Sequence, residues 1–283
     1  RATATGGATC SRTAHPRSVG CVTVRTIAGG AALRVVADAA ALATTAAETI
    51  VAAAQLAVAE RGEFHLCSTG GSTPGAIYSV LRSPSFASRM PWRQSTIWLG
   101  DDRFVPRGDR HSNLSAIDTV LLAPNLDGSA APMDTAQVEG WPTDTPDAEA
   151  AARAYAARAA AALPSDANGV PAFDLVLIGV GVDGHCLSVF PGSPLAAPDA
   201  PIAGAVAAPT HIEPHLPRLS FSLKILASAR SVLPLAVGAA KAEVVARIID
   251  GREPVTTLPA KAALIPTATW LLDAAAASRL TGR

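Results

Sequence analysis

Phe64-His65-Leu66-Cys67-Ser68-Thr69-Gly70-Gly71-Ser72-Thr73-Pro74 is the stretch whose reading decides the fold. Residues 63–68 have the length and apolar content of a short buried strand. A glycine pair then punctuates the chain. Pro74 suits the first turn of a helix, where its missing N–H is no loss, and 76–82 continues with helical composition. Strand, glycine turn and helix follow without a linker, which is the βα half of a parallel βαβ unit.

The alternation extends in both directions. Upstream, 39–61 is almost all Ala, Val, Leu and Ile with scattered Thr and Glu, a helix that Gly62 ends. Downstream, 95–99 reads as a strand leading into Gly100-Asp101-Asp102-Arg103, and 173–178 is a bare apolar run ending in Gly179. Runs without polar alternation suit parallel strands covered on both faces. Thr145-Pro146-Asp147 caps an Ala-rich helix that reaches about Leu163 and stops at Pro164, with 124–145 as its connector. After a Pro-rich stretch at 191–217, strands are expected at 218–223 and 231–237, and a helix at 239–249. A short strand at 262–265 and a helix at 270–280 close the chain. The fold class is therefore α/β, with an open, mainly parallel, Rossmann-like sheet and helices on both faces. Ligands of such sheets bind beyond the carboxyl ends of the strands.

The length of 283 residues accommodates one large catalytic domain, expected at 31–283. Residues 1–30 read as a disordered leader, because Arg1, Arg12, Arg17 and Arg25 precede the first acidic residue, Asp38, amid Thr, Gly and Ser. Basic and acidic residues number 23 each, so nothing global attracts nucleic acid or a membrane, and attraction for an anion must be local. Cys10, Cys21, Cys67 and Cys186 show neither a C-x-x-C pair nor metal-like spacing with histidine. That speaks against zinc and a disulfide framework, and a reducing cytoplasm is the simpler setting. No apolar run of about 18 residues lacks charge or Pro/Gly punctuation, so no transmembrane helix is expected.

Four segments carry chemistry. In 69–73, free backbone N–H groups at a helix N-terminus meet the hydroxyls of Ser72 and Thr73, and Gly70 and Gly71 let an anion approach. Without a Walker-type Gly-Lys-Ser/Thr ending, the loop suits a monophosphate rather than a nucleoside triphosphate. Asp101, Asp102 and Arg103 stand at a strand's end, with His111-Ser112-Asn113 close by in sequence; the main use expected for Ser112 or Asn113 is to cap the helix beginning near Leu114. Asp183-Gly184-His185 follows the most apolar strand through a Gly-x-Gly turn, which sets an imidazole beside a carboxylate at the sheet's edge. Histidine titrates near neutrality and suits proton abstraction from water or a hydroxyl. Arg218 and Lys241 open two later elements and supply the charge-assisted donors that a phosphate needs.

Taken in order, Thr-Gly-Gly-Ser-Thr-Pro at 69–74, Trp-Leu-Gly-Asp-Asp-Arg-Phe-Val-Pro at 98–106 with Ser112-Asn113, and the run from Phe173 through His185 to Phe190-Pro191-Gly192 resemble the 6-phosphogluconolactonase family. Arg218-Leu219-Ser220 and Gly238-x-x-Lys241 complete the likeness, which covers roughly 31–280. The wider superfamily includes glucosamine-6-phosphate deaminase and ribose-5-phosphate isomerase. The resemblance implies hydrolysis of 6-phosphoglucono-δ-lactone to 6-phosphogluconate, in the oxidative pentose phosphate pathway, without a metal or organic cofactor. By that likeness His185 is the base that activates water, and Asp183 or Asp101 supports it. Gly70, Gly71, Ser72, Thr73, Arg103, Arg218 and Lys241 would hold the phosphate, and the protein would be a monomer or weak oligomer. Asp102 stands where the family usually has Glu, and Cys186-Leu187 replaces the common Thr-Ala. Cys67 and Cys186 adjoin site motifs and read as small buried hydrophobes. Two other functions remain open on this reading, a glucosamine-6-phosphate deaminase-like isomerase and a sugar-phosphate sensor domain without turnover. The Phe190-Pro191-Gly192 turn disfavours the first, and Asp183 with His185 the second.

Overall fold

A computed structural model of the chain describes residues 24–125 and 130–281. Its first half contains strands β1 (Val24–Thr26), β2 (Ala32–Val36), β3 (Phe64–Ser68), β4 (Ser95–Leu99), β5 (Asp101–Arg103) and β6 (Val138–Glu139). Helices α1 (Ala39–Arg61), α2 (Ser72–Arg82), α3 (Pro84–Ala87) and α4 (Leu114–Val120) alternate with them. The second half contains α5 (Ala148–Ala162), β7 (Leu175–Gly179), β8 (Ala203–Val206), β9 (Arg218–Phe221), α6 (Lys224–Ser228), β10 (Val232–Ala236), α7 (Ala242–Asp250) and β11 (Thr269–Asp273).

Eight strands form one sheet in the order β1-β2-β11-β10-β7-β3-β4-β6, and β5-β9-β8 form a second, antiparallel sheet. In the large sheet only the edge pair β1–β2 is antiparallel among the described strands. β7 lies centrally between β10 and β3, and its residues 175–178 are buried on both faces. Because β3, β4, β7 and β10 run in one direction, the loops that follow them emerge at the same edge. That edge receives 69–73, 100–103, 180–185 and 237–241, the four segments singled out by their chemistry.

By length and apolar composition alone, helix α1 could cross a membrane, and no other helix among the described residues could. Leu42, Ala46, Ile50, Ala54 and Ala57 recur at helical spacing and are buried, and the helix packs on β3 and β11. Here it serves as a core helix. Asp38 caps it by accepting a hydrogen bond from the Ala41 N–H at 2.8 Å, and Gly62 ends it at φ 83°.

Three expectations change. Val24–Thr26, inside the stretch expected as a disordered leader, is a strand, because its backbone pairs with β2 at the sheet edge. Residues 1–23 of that leader, with Cys10 and Cys21, lie outside the described residues. The closing elements are exchanged. Pro259–Ala263 is a short 3₁₀ helix where a strand was expected nearby, and Thr269–Asp273 is a strand where a helix was expected. Trp270, Leu271 and Leu272 are fully buried between β2 and β10, and continuous burial on both faces favours a strand over the helical propensity of the alanines that follow. The small sheet was not foreseen: β5 was read as a loop, and β8 lay inside the Pro-rich stretch.

The two sheets meet through an aromatic cluster. Tyr155 of α5 packs on Trp98 of β4, on Trp141 and on Phe221 of β9, with ring centroids 5.7, 4.0 and 5.3 Å away. Its buried hydroxyl accepts from the Leu99 N–H at 2.9 Å and donates to the Glu139 carbonyl at 2.7 Å. Tyr155→Phe keeps the ring and orphans both buried backbone groups, at a cost of about 1–3 kcal/mol. A urea-unfolding midpoint equal to that of the wild type would show that this hydroxyl contributes nothing.

Candidate functional site

The turn after β7 fixes His185. The Gly181 N–H donates to the His185 carbonyl at 2.8 Å, and Gly184 turns the chain at φ 86°. A Cβ on Gly181 would stand 2.0 Å from His185 Nδ1 and 2.6 Å from Asp183 Oδ1, so this approach requires glycine. Asp183 Oδ1 lies 2.5 Å from His185 Nδ1 and accepts the His185 backbone N–H at 3.1 Å. Half-burial works to raise the Asp183 pKa, but the hydrogen bond and charge of His185, with help from His211, outweigh it and hold the carboxyl well below its ordinary value. Asp183 therefore stays ionised through the neutral range. A permanent carboxylate accepts a hydrogen bond from Nδ1–H, which leaves Nε2 as the basic nitrogen of neutral His185.

Asp101 is elsewhere. It accepts from Ser188 Oγ at 2.6 Å and from Thr69 Oγ1 at 3.3 Å, and it lines the cleft without bonding to His185. Of the two carboxylates that the sequence left open as partners of His185, Asp183 is the one in contact with its ring. Asp102 points away into a nest of donors, the N–H groups of Arg103 and Asn113, both at 2.7 Å, and Ser112 Oγ at 2.8 Å. Burial raises its pKa to about 6, against those hydrogen bonds and with the like charge of Asp101.

A cleft of about 260 Å³ brings together His185, Asp101, Arg103, Arg218, Lys241, Gly70 and Gly71. Ser72 and Thr73 line an adjoining cavity that shares Gly70, Gly71 and Lys241 with the first. Arg103 donates to the His111 carbonyl at 2.6 Å and to Asn113 Oδ1 at 3.0 Å. Arg218 is only 4% exposed, lies over the Phe190 ring at 5.4 Å, and donates to the Pro214 carbonyl at 3.3 Å. Burial and the nearby Arg103 charge lower its pKa, and burial lowers that of Lys241 against the pull of Asp183. The Nε atoms of Arg103 and Arg218 are buried without a hydrogen-bond partner among the described residues. A polyanion placed between them would relieve both costs.

Several cleft residues escaped the sequence reading. Asn113, read mainly as a helix cap, makes no side-chain cap bond; it lines the cleft, holds Arg103 and donates to the Asp101 carbonyl at 2.8 Å. Leu187 adopts φ 53°, a left-handed backbone that a side chain rarely takes, beside the turn that carries His185. His211 and Ile212 come from the Pro-rich stretch at 191–217. Ile212 is a cleft wall, and His211 Nε2 lies 2.9 Å from Asp183 Oδ2. No motif flagged either of them.

Residues 37–271 match the family model described as glucosamine-6-phosphate isomerases/6-phosphogluconolactonase. The chain is 33% identical over 245 residues to 6-phosphogluconolactonase of Streptomyces coelicolor, covering 84% of this chain and 90% of that protein. The solved 6-phosphogluconolactonase of Trypanosoma brucei superposes with a TM-score of 0.75 at 25% identity, over 92% of this chain and all of that one. A monomeric glucosamine-6-phosphate deaminase superposes at 0.70 with 20% identity, over 87% of this chain and 99% of that one, a likeness of fold alone.

The raised pKa of Asp102 has a consequence for stability. Between about pH 4 and 6 the folded protein binds this proton more tightly than the unfolded chain, so the Asp102 contribution falls as pH rises through that window. Relative to Asp102→Asn, the wild type loses up to about 3 kcal/mol from pH 4 to pH 7. Urea midpoints at unit pH steps measure the difference, and parallel curves for the two proteins would contradict it.

Proposed function

The chain belongs to the glucosamine-6-phosphate isomerase/6-phosphogluconolactonase family, and from that premise we propose that it hydrolyses 6-phosphoglucono-δ-lactone with His185 as general base. It is a lactonase, like the relatives that it matches over most of its length. The observation that carries the finer reading is the pairing of His185 with an ionised Asp183 in the same cleft as Arg103, Arg218 and Lys241.

The steps follow from that geometry. The phosphate binds among Lys241, Arg218, Arg103 and the N–H groups of 70–73, which fixes one end of the substrate and orients the ring. Nε2 of His185 takes a proton from water as the water oxygen adds to the lactone carbonyl carbon. Asp183 stabilises the imidazolium that results and keeps the ring in its tautomer. The tetrahedral adduct collapses by breaking the bond to the ring oxygen, and His185 returns the proton to that oxygen as it becomes a hydroxyl. The new carboxyl group ionises to give 6-phosphogluconate. In metabolism this is the second step of the oxidative pentose phosphate pathway.

Freshly generated lactone, followed against its spontaneous hydrolysis, tests the proposal. Ammonia release from glucosamine 6-phosphate without accelerated lactone opening would replace it with the deaminase reading, and binding without either reaction would leave a sensor. His185→Ala is expected to lower kcat by roughly 10²–10⁴-fold with KM within a few-fold, the usual share of a general base. Lys241→Ala removes one charge-assisted contact and raises KM by about 10- to 100-fold with a smaller change in kcat. Full turnover in His185→Ala would sink the mechanism.

A further inference from the structure

Asp183 serves two histidines. One oxygen meets His185 Nδ1 at 2.5 Å, and the other meets His211 Nε2 at 2.9 Å. Phe190 packs against both imidazoles, with ring centroids 4.7 Å from His185 and 5.7 Å from His211. The His211 side chain is half exposed, whereas those of Asp183 and His185 are each 17% exposed. It stands at the outer end of a chain of three polar groups whose inner end reaches the cleft.

We infer that His211 is a positioning residue for the hydrolysis: by holding Oδ2 of Asp183 it keeps Oδ1 on His185 Nδ1 and sets the proton affinity of His185. This rests on the reading of His185 as the base. A carboxylate bonded through one oxygen can turn about its Cβ–Cγ bond, and a donor on the second oxygen fixes its plane. An ionised carboxylate only accepts, so a proton lies on His211 Nε2 whether His211 is neutral or cationic. That donor withdraws charge from Asp183 and makes it a weaker acceptor toward His185. Removal of His211 therefore raises the proton affinity of His185 and loosens its orientation.

The groups that face the dyad come from separate elements. Lys241 precedes α7 and acts on Asp183 by charge, while Asp101 and Arg103 on β5 and Arg218 on β9 line the same cleft. Glu213 and His215, later in the loop of His211, pair with each other at 3.0 Å. Among these, His211 alone hydrogen-bonds the oxygen of Asp183 that His185 leaves free.

The test uses the whole chain labelled with ¹⁵N-histidine. The His185 signals are assigned by their loss in His185→Ala, and lactone kinetics are measured alongside. In His211→Ala the His185 titration midpoint is expected to move up by about half a pH unit. Its kcat is expected to fall about tenfold with KM within about twofold, a fraction of what a general base supplies. His211→Gln places an amide donor near the same oxygen and restores most of both. An unmoved His185 midpoint in His211→Ala, or a change confined to KM, would overturn the inference. Failure of the wild type to open lactone would instead remove the proposed function, while the titration would still decide whether His211 sets His185.

Discussion

The site depends on the passage of the chain from one sheet to the other at Gly100. Its N–H donates to the Ser68 carbonyl at 2.7 Å, and its carbonyl accepts the Phe221 N–H at 3.0 Å, so one residue is bonded to β3 and to β9. A side chain there would stand 2.6 Å from Leu187 Cδ2 and 3.3 Å from Cys67 Sγ. Strand β3, the passage after β4 and the segment after His185 thereby converge on a single glycine. Cys67 and Cys186 fill this junction as fully buried side chains, and burial pushes both thiols up, so they behave as small hydrophobes.

The hand-over also sorts two adjacent carboxylates into different tasks. Along β5, successive side chains point to opposite faces. Asp101 is turned to the cleft, where Ser188 and Thr69 hold it, and Asp102 is turned to the loop at 112–113, which two of its hydrogen bonds fasten. Asp102 therefore acts through Asn113, which braces Arg103. The Asp in place of a longer Glu is compatible with this role, since its oxygens already reach both backbone donors at 2.7 Å.

The main sheet was legible because parallel strands buried on both faces leave near-continuous apolar runs, as at 173–178, and because glycine turns mark their carboxyl ends. Those two signals place Gly70, Gly71, Asp101, His185 and Lys241 at one edge from the sequence itself. What escaped has a physical reason in each case. Strand β11 is written in residues that also form helices, and only its place between two strands decides its state. The small sheet has strands of three or four residues, too short for a period to show. His211 lies 26 residues beyond His185 in a Pro-rich loop, and its contact with Asp183 exists only in three dimensions.

Phe190 touches two residues of the cleft, His185 and Arg218. Its ring packs against His185 at 4.7 Å and carries the Arg218 guanidinium at 5.4 Å, so one apolar body touches the proposed base and a cation. Direct contact of that base with that cation would disfavour the imidazolium that general-base catalysis must form. Phe190-Pro191-Gly192, a mark of the family likeness, thus sets one ring against both His185 and Arg218, so the proposed base and the proposed phosphate contact share an apolar neighbour.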